Sequence, residues 1–252
     1  MKLAVITGAS RGLGAAIAEG FIDKGYGLIT VSRQENEALK RKASESQSLY
    51  AHFNCDLASP DQQLSTLEAI IHLLQEWGTA EALYLINNAG VVEPIEVVGE
   101  MGTEDLQRLM TVNILAPMVM TNGFVKAFTQ EKLTVVNVSS GAALHPTHGW
   151  SAYGSSKAAV NLFTETAALE AQHIDAPHTF IAYNPGIMDT EMQGVIRSSG
   201  KQAFKDVEKF QGFKENGQLR SPEVVAQALI DLLIDKDPEN GRIYNVNELL
   251  DK

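Results

Sequence analysis

Tyr153 and Lys157 stand four residues apart in this chain of 252 residues. They fall in an amphipathic stretch expected to be helical over Ala152–Gln172, which puts both side chains on one face. A phenol, with a free pKa of about 10, becomes a usable acid or base where a neighbouring cation favours its anionic form. Lys157 can be that cation. Ser140 closes a β-branched run, Thr134–Val138, where its hydroxyl can bind an oxygen on which negative charge develops. Taken singly, the Tyr–Lys pair is a common surface arrangement and Ser139-Ser140 an ordinary strand end. Taken together, the three suit delivery of a proton to a carbonyl oxygen while a hydride reaches its carbon.

A hydride needs a carrier, and Thr7-Gly8-Ala9-Ser10-Arg11-Gly12-Leu13-Gly14 offers a place for one. The segment joins an expected strand to an expected helix, the context in which a glycine motif carries weight. Gly8 suits the tight turn, Gly12 a close approach of backbone to pyrophosphate, and Gly14 close helix–sheet packing. The next strand ends in Ser32-Arg33, with Arg11 expected beside it. A carboxylate at that position would favour NADH, whereas two guanidiniums and a hydroxyl suit the 2′-phosphate of NADPH. NADPH is therefore the expected cofactor, with Glu35 as the dissenting carboxylate.

Positioning these groups requires a regular frame. Strands are expected over Leu3–Thr7, Gly27–Ser32, Leu49–Asn54, Ala82–Ile86, Thr134–Val138, Thr179–Tyr183 and Arg242–Val246. Helices are expected over Leu13–Lys24, Pro60–Trp77, Glu104–Phe128, Ala152–Gln172 and Pro222–Ile234. The strands are continuously apolar, as in sheets covered on both faces. Alternation of this kind implies an α/β fold, one Rossmann-type doubly wound parallel sheet of about seven strands in a single domain over 1–252. Ser59-Pro60 and Ser221-Pro222 mark helix starts. The polar stretch 193–220 is expected to be a mobile helical flap over the substrate.

The net charge is −11 and no Lys/Arg run occurs, which argues against a nucleic-acid partner. The single cysteine, Cys55, allows no internal disulfide and suits a reducing cytoplasm. The apolar N-terminus is too short for a signal segment, and no run approaches the roughly 20 residues that span a bilayer. A soluble protein is expected. His145 and His148 have no third ligand in view, and no metal is expected.

The wide G-x-x-x-G-x-G spacing, Asn87-Asn88-Ala89-Gly90 after the fourth strand, the Ser140, Tyr153 and Lys157 set, and Pro185-Gly186 follow one another in an order that resembles the short-chain dehydrogenases/reductases. The motifs cover about 1–193. The resemblance implies that Asp56, with Leu57, meets the adenine, that Asn87, Ala89 and Gly90 lie against the cofactor, and that Lys157 also holds the nicotinamide ribose. It further implies that Pro185, Gly186 and Ile187 cover the nicotinamide, that Thr190 holds its carboxamide, and that Asn113 completes a catalytic tetrad. Pro117, four residues after Asn113, has no N–H, so the Asn113 carbonyl loses its normal helical partner and could hold a proton-carrying water.

Within the family, Thr134–Ser140, Gly149-Trp150 and Asn184–Gln193 are similar to the sepiapterin reductases and the related bacterial benzil reductases. Both groups reduce one carbonyl of a vicinal diketone or a diketone-like side chain. The resemblance implies a substrate pocket of Leu144, His145, Trp150, Met188 and Met192, with Val91 and Val92 nearby, suited to an apolar or aryl ketone. Sepiapterin reductases anchor the pterin through an aspartate near the C-terminus, where this chain has Asn245, Val246 and Asn247, so an aryl diketone is the better fit. A pterin side-chain reductase, an alcohol-oxidising enzyme and a catalytically silent NADP(H) sensor remain alternatives. A homodimer is expected from the family, with the alanines at 158, 159, 167, 168 and 171 allowing close helix approach.

Overall fold

The computed structural model describes residues 1–250. Seven strands form one parallel sheet: β1 (Lys2–Thr7), β2 (Gly27–Ser32), β3 (Tyr50–Asn54), β4 (Ala82–Asn87), β5 (Leu133–Val138), β6 (Thr179–Asn184) and β7 (Ile243–Asn245). Their order is β3-β2-β1-β4-β5-β6-β7, every neighbouring pair parallel. The chain therefore winds outward from β1 in one direction and from β4 in the other. A crevice opens at that reversal, beyond the strands' C-terminal ends.

Covering helices explain why the strands carry almost no polar face. All six residues of β2 and of β5 are buried. Against one side pack α1 (Gly12–Asp23), α2 (Glu37–Glu45) and α9 (Pro222–Asp235), joining Ile17, Phe21 and Leu229 to Ile6 and Val136. Against the other lie α3 (Pro60–Trp77), α5 (Ala116–Ala127) and α6 (Ser151–His173), joining Ile70 and Phe124 to Val5 and Val135. The remaining helices are α4 (Thr103–Met110), α7 (Glu191–Arg197), α8 (Val207–Glu215) and α10 (Val246–Leu250).

The two Ser-Pro starts behave as expected: Ser59 and Ser221 accept from the backbone N–H groups of Gln62 and Val224. Three expectations need correction. Helix α2 was not foreseen, although Asn36 caps it through Ala38 and Leu39, and Leu39 and Ala43 give it an apolar face. β7 stops at Asn245, because the Asn245 side chain accepts the Asn247 N–H and starts α10 at Val246. The helix expected over Glu104–Phe128 is broken into α4, a π turn over Thr111–Leu115, and α5. There the Ala116 N–H reaches the Thr111 carbonyl, five residues back. Pro117, which has no N–H to give Asn113, lies in the first turn of α5, and the widened turn accommodates it.

Between β4 and β5 on one side and α5 and α6 on the other runs a buried polar ladder. Asn87 Nδ2 donates to Thr121 Oγ1 at 3.1 Å and to Asn137 Oδ1 at 2.9 Å, and Asn137 Nδ2 donates to Thr164 Oγ1 at 2.9 Å. Asn137→Ala removes the central rung and leaves one buried Asn87 N–H unpaired. It is expected to cost about 2 kcal/mol and to lower the melting temperature by roughly 4–8 °C in a chain of this size. Thermal unfolding checks this, and an unchanged midpoint would deny the ladder a structural role.

Candidate active site

The crevice at the β1/β4 reversal is a cleft of about 1080 Å³. Gly8, Ser10, Arg11, Gly12, Leu13 and Gly14 line one wall. Gly8 and Gly12 adopt left-handed φ of 69° and 57°. A Cβ on Gly14 would lie 2.3 Å from the Gly8 carbonyl oxygen, so that position accepts only glycine. Arg11 precedes α1 without capping it by its side chain, leaving the first-turn N–H groups to an anion. Asn88 steadies the turn, donating to the carbonyls of Thr7 and Gly8 at 3.0 and 3.2 Å.

Ser32, Arg33, Asp56, Leu57, Ala89, Gly90 and Thr190 also line the cleft. Arg33 has no ion-pair partner among the described residues, whereas Arg11 pairs with Glu191 at 2.8 Å. The dissenting Glu35 is bound to Lys40 at 2.8 Å, and that contact holds its carboxyl below the usual value. Asp56 turns one oxygen to the Ala58 N–H. Asn36, unnoticed in the sequence, bridges the α2 cap to the glycine turn by donating to the Ser10 carbonyl at 3.0 Å. The residues lining the cleft do not include Asn87, Pro185, Gly186 or Ile187, nor Asn113, Ser140, Tyr153 and Lys157. Asn87 belongs to the buried ladder, and its neighbour Asn88 lines the cleft.

At the inner end, a Cβ on Gly90 would lie 3.4 Å from both Asn113 Oδ1 and Lys157 Nζ. Asn113 joins three elements: its side chain donates to the Val91 carbonyl and to Ser156 Oγ, and accepts from the Val91 N–H. Lys157 donates to the Val138 carbonyl at 2.8 Å, tying α6 to the end of β5. Ser140 follows β5 and accepts the Ala142 N–H. Tyr153 and Lys157 are both buried. Burial pushes the Tyr153 hydroxyl above its ordinary value, with Ser140 acting the other way, and lowers the Lys157 ammonium to about 8.

Stretch 193–220 is anchored rather than loose. Phe204, Val207 and Phe210 are buried with Val92, Trp150 and Tyr153 in a third cluster, and Met192 packs against it. Parallel bridging of Met188 to Arg220 closes the flap's base, and Lys214 pairs with Asp189. Phe204, Phe210 and Phe213 were the unread signal in an otherwise polar segment. Leu144, by contrast, is 58% exposed and His145 is also exposed, so the wall expected of them is not formed here. Met188 lines the cleft but packs toward the first core. The Thr190 hydroxyl caps α7 by accepting the Gln193 N–H.

A model described as short chain dehydrogenase matches residues 2–201. The chain belongs to the short-chain dehydrogenases. This member is 42% identical over 252 residues to a benzil reductase ((S)-benzoin forming) of Bacillus subtilis, covering 99% of this chain and 100% of that one. It is 32% identical to a sepiapterin reductase of Xenopus tropicalis, over 92% and 90% of the two chains. A solved short chain dehydrogenase/reductase of Saccharomyces cerevisiae superposes with a TM-score of 0.85 at 30% identity, over 100% and 99% of the chains. The short-chain dehydrogenases use a nicotinamide cofactor, and this chain is an oxidoreductase acting on C=O or CH–OH groups.

Two tests follow from this geometry. A Cβ on Gly149 would come 2.1 Å from the Ala203 carbonyl oxygen. Gly149→Ala is therefore expected to push the flap off Trp150, seen as faster proteolysis within 193–220 while the sheet's circular dichroism is unchanged. The second concerns Lys157, whose folded pKa of about 8 lies below the ordinary 10.5. Unfolded chains then hold the proton over a range where the folded chain has lost it, so stability rises with pH from about 8. Tyr153, shifted up from 10.0, acts in the opposite sense above that value. Urea unfolding of cofactor-free protein should show wild type gaining on Lys157→Met between about pH 8 and 10. A flat difference would refute the buried ammonium.

Proposed function

We propose that this chain is an NADPH-dependent reductase of vicinal diketones, taking a benzil-like aryl diketone to the hydroxyketone with Tyr153 as proton donor. The observation that carries the proposal is one cleft with two chemically distinct ends. Asn113 and Lys157 stand against Gly90 on the cleft wall, Ser140 and Tyr153 stand against each other nearby, and Ser32, Arg33 and Arg11 line the other end. The name of the Bacillus subtilis relative supplies the substrate class.

The residues fit the cofactor. The glycine turn leaves backbone room for a pyrophosphate, the first turn of α1 leaves donors for it, and Arg33 is free to take a 2′-phosphate. Bound there, the nicotinamide supplies the hydride that reaches the carbonyl carbon. Ser140 donates to the carbonyl oxygen, and the Tyr153 O–H bond breaks as the new alcohol O–H forms. Burial keeps Tyr153 protonated at neutral pH, which favours the reducing direction. Asn113 fixes the loop after β4 at Val91 to α6, and Lys157 fixes α6 to β5, so the donor and the substrate oxygen keep their separation.

The pterin alternative is less well served: Asn245 is committed to the Asn247 N–H, and Glu248 is paired with Arg242 at 3.4 Å. We place the enzyme in the cytoplasm as one domain over residues 1–252. It pairs as a homodimer through the outer face of α6, where Leu162 and Leu169 are exposed. Of the alanines expected at that face, Ala168 and Ala171 are instead buried against the chain's own sheet.

The test is NADPH oxidation with benzil. Turnover to benzoin is expected, with kcat/KM higher for NADPH than for NADH, and Tyr153→Phe should lower kcat by at least about 100-fold. An NADH preference would overturn the cofactor assignment. Tight NADPH binding without turnover of any dicarbonyl would favour the sensor.

A further inference from the structure

Asn36 makes two kinds of contact with one side chain, and only one of them belongs to its helix. Its Oδ1 accepts the Ala38 and Leu39 N–H groups at 3.0 and 3.1 Å, which caps α2. Those two donors fix which end of the amide is oxygen. A cap needs only an acceptor, and serine, threonine or aspartate would supply one. The amide nitrogen is surplus to that task. It donates instead to the Ser10 carbonyl at 3.0 Å, in a partly buried contact. Ser10, Arg33 and Asn36 all line the cleft. The backbone pairing of β1 with β2 runs out where the Gly8 N–H meets the Val31 carbonyl at 2.8 Å. Beyond that point, among the described residues, the bond from Asn36 to Ser10 is the only hydrogen bond joining 9–14 to 32–39. The Arg33 carbonyl is held separately, by Asn54 Nδ2 at 2.8 Å, and Ser32 Oγ is spent on the Gln34 carbonyl at 2.7 Å.

The adenosine of NADPH carries a 2′-phosphate and a 5′-pyrophosphate on one ribose, so covalent bonds fix their separation. A site that takes both at once must hold its two cradles at a matching separation. NADH presents only the pyrophosphate. We propose that Asn36 is a positioning residue for NADPH selectivity: its bond to the Ser10 carbonyl sets the distance between Arg33 and the glycine turn. The proposal rests on the reading of Arg33 as the ligand of the 2′-phosphate. Loss of the bond leaves each cradle in being but lets the gap between them vary. Ligands that engage both cradles then lose the advantage of being linked, and ligands that engage one do not.

The test measures Kd for 2′-AMP, 5′-AMP and 2′,5′-ADP on the whole chain, as wild type and as Asn36→Ser. The substitution keeps a capping hydroxyl and removes the amide donor. The readout is how much more tightly 2′,5′-ADP binds than the two monophosphates measured singly. Asn36→Ser is expected to cut that advantage by about tenfold while each monophosphate changes by less than about threefold. The preference for binding NADPH over NADH is expected to fall with it. Should Asn36→Ser fail to fold, Asn36→Asp keeps the cap and the side-chain shape without the N–H. The repulsion its charge adds to each phosphate separately cancels in the comparison, and the same loss is expected. If wild type shows the advantage and the substitution preserves it, or weakens all three ligands alike, Asn36 only caps α2 and the inference falls alone. If wild type binds 2′,5′-ADP no better than 5′-AMP, or Arg33→Ala leaves 2′-AMP binding unchanged, the parent reading falls, and this inference with it.

Discussion

A positive charge inside a protein must be held by something, and the Val138 carbonyl holds Lys157. β5 ends there, and the Ser139 N–H still bonds the Tyr183 carbonyl of β6 at 2.8 Å before the chain turns at Ser140. The Lys157 contact fixes α6 against the sheet and sets Tyr153, one turn earlier, over the strand end. Asn113 completes the arrangement from the other side, and does so from a widened turn that a regular helix would not provide. Burial of the ammonium and the phenol drives the two toward their neutral forms. The chain's own geometry thus keeps the proton on the tyrosine.

Legibility in the sequence followed the reach of the physics involved. Strands buried on both faces announce themselves as unbroken apolar runs, and Ser-Pro pairs announce helix starts, so these landed within about a residue. Glycines at Gly8, Gly12 and Gly14 were equally plain because backbone geometry excludes other residues. Asn87 and Asn88 could not be told apart, since which of two adjacent side chains turns toward the cleft depends on strand pairing many residues away. The flap was read as polar and loose because composition hides three well-placed phenylalanines. Leu144 and His145 were expected in the pocket from the family resemblance, whereas exposure is decided by what folds back over them. Helical spacing puts Tyr153 and Lys157 on one face but does not say which neighbour each will bond, and in the structure Lys157 bonds the Val138 carbonyl.

Glycine has two distinct uses here. In the β1–α1 turn it makes room for a ligand. At Gly149 it makes room for the protein itself, letting the backbone at Ala203 pass close above Trp150. That second contact links the loop after β5 to the flap, so the ceiling over Tyr153 is set by main-chain shape as well as by aromatic packing.

The bridge between Met188 and Arg220 has a consequence for how such a scaffold can change. Both feet of the excursion are tied to one another just beyond the end of β6, so its ends meet whatever the chain does between them. Lengthening the intervening stretch then adds only a slowly growing closure entropy. Insertions, deletions and exchanges there can remodel the ceiling of the pocket while the floor, the nucleotide cradle and the proton donor keep their places. The architecture separates the part that chooses a molecule from the part that transforms it, and leaves the former open to variation.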